Sequence, residues 1–181
     1  MAKQTNILIK WLRDAHAMEA SAESNLNNVI ARMKDYPRMH QRLMDHLEET
    51  RRQHNRLERC IEQLGGDTSM VQEMVGKFSG TIRGFAASGT DNDAMKMAIS
   101  MYQFECMEVA TYRALITAAE IYAQPEVVRI CQEILVEEEQ MVRWMDEHLE
   151  EITHAYLSKQ GVGLAPPMNG ASPERRSPPP M

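Results

Sequence analysis

Glutamates stand where apolar residues belong in this chain. Glu19, Glu49, Glu105 with Glu108, and Glu138 each fall mid-way along a stripe of residues spaced three and four apart, the face a helix turns to its core. An ionised carboxylate buried without a partner costs several kcal/mol or more, so a cluster of about five needs cations or protons to exist. Oxygen-rich coordination suits iron, manganese or magnesium better than zinc or copper, which prefer nitrogen and sulfur. Two divalent ions would nearly neutralise a formal charge of about −5, and a pair held close together can exchange two electrons with dioxygen or peroxide. Shared protonation, with raised pKa values and no metal, is the competing account.

Nitrogen ligands are scarcer. Di-iron carboxylate bundles draw a Glu-x-x-His from each of two helices, yet Glu49 is followed three residues on by Arg52 and Glu138 by Met141. His46 precedes Glu49 by one turn, and Gln53 and His54 follow it, so the second helix offers an imidazole or an amide as a further ligand. His54 reads as an interior or partly exposed histidine, while His16, His40 and His154 read as surface or helix-end residues. His148 lies about 15 Å beyond Glu138 along its helix and is too far for the same site. Tyr102 and Tyr112 flank the third-helix glutamates by about one turn, where a phenol packs, donates to a carboxylate or carries a radical.

Four long helices must position these groups. The first is expected from about Thr5 to Lys34, with stripe Leu12, Ala15, Glu19, Ala22, Leu26, Ile30 and Met33. The second runs from Pro37, a good first-turn residue, to Leu64, where Gly65-Gly66 stops it. Ser88-Gly89-Thr90-Asp91 caps the third, which runs to about Tyr122 through Ala98, Met101, Glu105, Glu108, Tyr112, Leu115 and Ala119. The fourth follows Gln124-Pro125 and ends near Leu157. Between Gly66 and Asp91, Met70, Val71, Met74, Val75, Phe78, Ile82 and Phe85 recur at helical spacing, a short amphipathic helix inside a connection too long for a hairpin. Short first and third connections make two antiparallel pairs, and the long middle one lets the second pair dock by a crossover, the topology of an all-α, ferritin-like four-helix bundle. Counting residues at a rise of about 1.5 Å puts all the glutamates at mid-bundle.

Residues 1–159 read as one domain, and 160–181, rich in Pro, Gly and Ser, as a disordered tail. A net charge of −6 argues against a nucleic-acid binder, which needs a positive face. No stretch approaches a membrane span and the N-terminus lacks a signal-like apolar run, so a cytoplasmic protein is expected. Cys60, Cys106 and Cys131 fall at apolar-periodic positions and read as buried small hydrophobes.

The runs WLRDAHAMEASAESNL, HLEETRRQHNRLE, FECMEVATYRAL and EILVEEEQMVRWM, in that order, resemble the YciE/YciF ferritin-like bacterial stress-protein family, nearest its YciE branch, over about residues 10–158. The resemblance implies a ferritin-like bundle, a di-metal site and a homo-oligomer, a dimer above all, in a family of poorly defined activity. Carried over by position, it implies metal ligands at Glu19, Glu49, Glu105, Glu108 and Glu138. Gln53 matches the family as a ligand or donor, whereas an aliphatic residue is commoner where His54 stands. The chain departs from rubrerythrins and bacterioferritins in lacking both Glu-x-x-His pairs, and from rubrerythrins in lacking a Cys-x-x-Cys module, so electrons would come from a separate donor. The expected function is a stress protein with two iron or manganese ions acting on peroxide, dioxygen or ferrous iron. The alternative is a metal-free helical scaffold that mediates assembly or partner binding.

Overall fold

In a computed structural model, residues 2–68 and 94–163 are described. Four helices carry them: α1 (Ala2–Arg32), α2 (Pro37–Gln63), α3 (Ala94–Ile121) and α4 (Pro125–Lys159). The amphipathic helix expected between Gly66 and Asp91, and most of the expected disordered tail, lie outside the described residues.

Local chemistry sets the ends. Pro37 and Pro125 begin α2 and α4, where a missing N–H costs nothing. Gly65 closes α2 at φ 77°, its N–H donating to Glu62 O and that of Gly66 to Ile61 O, the paired bonds of a Schellman cap. Gly66 is also sterically fixed, because a Cβ there would stand 2.8 Å from Ile61 Cγ2 and 2.9 Å from Ile9 Cγ2. The same pair of bonds closes α3 through Ala123 and Gln124, with Ala123 held at φ 51°, and closes α4 through Gly161 and Val162.

Helix α1 packs on α2 and on α3, and α4 packs on α3 and on α2, whereas the diagonal pairs keep their backbones apart and meet only through side chains that reach the centre. The N-terminal half of α1 shares an apolar cluster with the C-terminal ends of α2 and α3 and the start of α4: Leu12, Leu57, Ile61, Leu115 and Ile134. The opposite ends meet in a second cluster around Met33, Leu43, Met101, Met141 and Met145. So α2 ends at one end of the bundle and α3 begins at the other. This is the ferritin-like crossover topology expected from the sequence. Among the described residues, no helix is long and apolar enough to cross a membrane.

Candidate metal centre

Between the two apolar clusters lies a polar layer. The α2 stripe passes from Leu43 through His46, Thr50 and Gln53 to Leu57, the α3 stripe from Met101 through Glu105 and Glu108 to Tyr112, and α4 places Glu138 between Ile134 and Met141, all buried. Glu19 is the contribution of α1 and is fully buried. His46 and Gln53 therefore sit on the α2 stripe itself, at alternating steps of three and four, while His54 is turned to its edge.

Four of these side chains converge: His46, Glu105, Glu108 and Glu138 each offer a donor atom within 4.8 Å of the others. His46 Nε2 is 2.9 Å from Glu105 Oε2 and 3.6 Å from Glu138 Oε2, while Nδ1 is 2.8 Å from Glu49 Oε2. Glu49 stands outside the group of four. Its side chain is 21% exposed, and Arg42 Nη1 lies 3.1 Å from the same Oε2, so its charge is answered at the rim rather than in the core. Glu19 is also outside the four, with Oε1 accepting a hydrogen bond from the buried Tyr112 hydroxyl and Oε2 left without a partner. Gln53 donates from Nε2 to Glu138 Oε1 at 2.5 Å and to Glu137 Oε2 at 2.9 Å. Its Oε1 is buried and unpartnered, as are Glu105 Oε1, Glu108 Oε1 and Glu138 Oε2.

The electrostatics follow from that geometry. Burial pushes the Glu19 carboxyl up to about 8, although the Tyr112 hydrogen bond pulls the other way. Burial, then the neighbouring carboxylates, raise Glu108 well above the usual range. Glu138 also rises well above it, burial outweighing the nearby His46. Burial opposes protonation of His46, yet Glu105, Glu49 and Glu138 together raise it. For Glu49 the balance is reversed, since His46 and Arg42 overcome partial burial and lower it. Glu19, Glu108, Glu138 and His46 thus all hold their protons more tightly than in water, at positions where cations would serve.

The donor set fits a metal ion: three carboxylates and an imidazole around one point, buried oxygens with no hydrogen-bond partner, and Glu19 Oε2 and Gln53 Oε1 free beside them. Glu49 behind His46 repeats the carboxylate–histidine–metal pattern, in which the outer carboxylate takes Nδ1–H and leaves Nε2 for the ion.

Other expected residues lie apart. Tyr102 donates at 3.2 Å to the exposed Asp146. His148 Nδ1 contacts Trp144 O, and its ring stacks on Trp144 at the far end of α4. Two readings are corrected. His16 is buried, not a surface residue, because α1 packs against α2 along a second side and brings its ring onto His54 at 3.8 Å. Cys106 is exposed, not core, since the step from Glu105 turns it away from the α3 stripe. Arg42, unremarked in the sequence, was legible only as a basic residue two turns before Glu49 on the same side of α2.

Residues 3–158 match a family described as a domain of unknown function (DUF892). The crystal structure of a protein from Xanthomonas campestris pv. campestris is 34% identical, with 88% of this chain and 99% of that one covered at a TM-score of 0.74. YcfI of Rhodopseudomonas palustris, described provisionally as a structural protein, is 23% identical, with 79% of this chain and 92% of its own covered and a TM-score of 0.64, a likeness of fold. These findings fit the YciF-like group that the sequence resembles. By the family match and by its relative in Xanthomonas, this chain belongs to the DUF892 family.

Proposed function

We propose that the polar layer is a carboxylate-rich centre for two divalent ions, iron or manganese, ligated by Glu19, Glu105, Glu108, Glu138 and His46, with Gln53 Oε1 as a further oxygen. One observation carries this reading: the layer buries four carboxylates with unpartnered oxygens around a single imidazole, sealed above and below by apolar clusters. Four carboxylates answer two divalent charges. Glu49 drops out of that sum because Arg42 already meets it at the rim.

When bound, a redox-active pair supplies electron exchange with dioxygen or peroxide, or oxidises ferrous iron. The chain's own residues prepare for it. Glu49 fixes the His46 ring, Tyr112 fixes Glu19, and the flanking Leu and Met clusters exclude water. Because the paired Glu-x-x-His ligands are absent, the centre is poorer in nitrogen than that of a ferroxidase bundle. The resemblance to stress proteins of the YciE branch supports a cytoplasmic homodimer that takes electrons from a separate donor during oxidative stress.

Anaerobic titration calorimetry with Fe(II) or Mn(II) tests the reading. About two equivalents are expected for the wild type, on the charge balance of a buried cluster, and a large loss for Glu105→Ala and Glu138→Ala with circular dichroism preserved. No heat with either ion, and variants more stable than the parent, would leave a metal-free scaffold with a polar core.

A further inference from the structure

An ion held by His46, Glu105, Glu108 and Glu138 has to be delivered there, since none of these side chains is more than 1% exposed. Two half-buried carboxylates reach the group through a single intervening side chain. Glu137, 26% exposed in its side chain, does so through Gln53, and Glu49, 21% exposed, through His46. The two approaches differ in chemistry. Gln53 turns its NH₂ end to both Glu137 and Glu138, and Arg56 lies against Glu137 as well, so beyond Glu137 the next group inward faces a cation with N–H donors. At Glu49 the intervening group is an imidazole, a side chain that can ligate a metal through one ring nitrogen while the other holds Glu49.

The solvent side of Glu49 is also open. On the α2–α4 groove an open cavity of about 420 Å³ is walled by Arg38, Arg42, Asp45 and Trp144. Arg42 belongs to both places. It lines the cavity, and its Nη1 is 3.1 Å from Glu49 Oε2. The guanidinium therefore stands between the open groove and the half-buried carboxylate.

From this placement we infer that the Glu49 rim of α2 is the entrance by which a divalent cation reaches the buried group, with Arg42 as its displaceable cover; this rests on the metal centre proposed above. Asp45 lines the cavity and Glu49 stands behind Arg42, so a cation that displaces the guanidinium has a carboxylate on either side of that position. Arg42 neutralises Glu49 while no cation is present. An arriving cation takes the place of the guanidinium and then moves inward past His46 to the four donors.

Stopped-flow uptake of Mn(II) or Co(II) by the metal-free full-length chain tests this, with the equilibrium capacity of each sample measured in parallel. Glu49→Gln is expected to slow association roughly tenfold, read at ion concentrations that saturate it, and Arg42→Ala, which leaves every ligand in place, to speed it a few-fold and to fill as the parent does. Added salt slows the wild type more than Glu49→Gln. The entrance is overturned if Glu137→Gln slows uptake while Glu49→Gln and Arg42→Ala keep the parent rate, or if no variant changes it. A wild type that takes up no ion at equilibrium overturns the metal centre, and the entrance with it. One that fills normally at rates insensitive to Glu49 and Arg42 overturns the entrance alone.

Discussion

Glu49 and His46 are joined at 2.8 Å across one turn of α2, and that bond decides what the imidazole offers the buried carboxylates. With Nδ1 committed outward, Nε2 is the atom that faces Glu105 at 2.9 Å. Glu49 thus sets the ring's orientation and raises its basicity from outside the group of four. Glu49→Ala is expected to weaken Mn(II) binding about 10- to 100-fold by titration calorimetry, the usual loss when a ligand's outer partner is removed. Unchanged affinity would remove Glu49 from the centre.

Tyr112 and Tyr102 stand on one helix and have opposite weight. Tyr112 is fully buried and donates to Glu19, whose second oxygen has no partner. Removing the hydroxyl leaves a buried acceptor unsatisfied, so Tyr112→Phe is expected to lower the unfolding free energy of the metal-free protein by about 1–3 kcal/mol in urea. Tyr102 donates to Asp146 at an exposed position, and Tyr102→Phe is expected to stay within about 0.5 kcal/mol of the parent. Equal losses from the two would contradict the assignment of Tyr112 to a buried, poorly satisfied layer.

Stability of the metal-free chain should fall as pH rises from 6.5 to 8. Glu19 titrates at about 8 in the fold against an ordinary 4.5, so the folded chain keeps a proton that the unfolded chain has released. That contribution is complete below the unfolded value and gone above the folded one. Glu108, Glu138 and His46 shift in the same direction. The depressed His16 and His54 act oppositely, but their effect lies below 6.5. Bound metal requires the carboxylates ionised, so saturation with Mn(II) should flatten or invert the slope. Urea midpoints across that range, with chelator and with Mn(II), check both statements; a metal-free midpoint that rises with pH would contradict them.

Ala123 occupies the left-handed position of the α3 cap at φ 51°, where glycine is at ease and alanine is not. Ala123→Gly is expected to raise stability by about 1 kcal/mol, read as a higher melting temperature with unchanged helix content. A fall would mean that the loss of unfolded-chain stiffness outweighs the relief at this turn.

The fold and the level of the site were readable from spacing, because carboxylates at three- and four-residue steps share the side of the helix that the apolar stripe turns to the core. Placing Glu19, Glu105, Glu108 and Glu138 needed no more than helix periodicity. Glu49 was harder. It lies three residues from His46 and so shares its side of α2, but which of the two points to the core depends on a rotation of the helix that packing against α4 sets. His16 was misread for a related reason: a stripe gives the direction of the core but not how wide an arc a second neighbour covers. Its ring is buried with both nitrogens unpartnered, and burial, aided by His54, lowers it to about 4. Such a group costs stability as pH falls from 6.5 toward 4. Side-chain pairs across helices, such as Arg42 with Glu49 or Gln53 with Glu138, depend on rotamers that no residue spacing encodes.

Elemental analysis of the full-length protein, purified without added metal or chelator, bears most directly on the buried carboxylate layer as a metal centre. About two iron or manganese ions per chain are expected from its charge, together with a lower melting temperature after chelation. A chain that carries neither metal, and whose melting temperature chelation leaves unchanged, would contradict the metal centre.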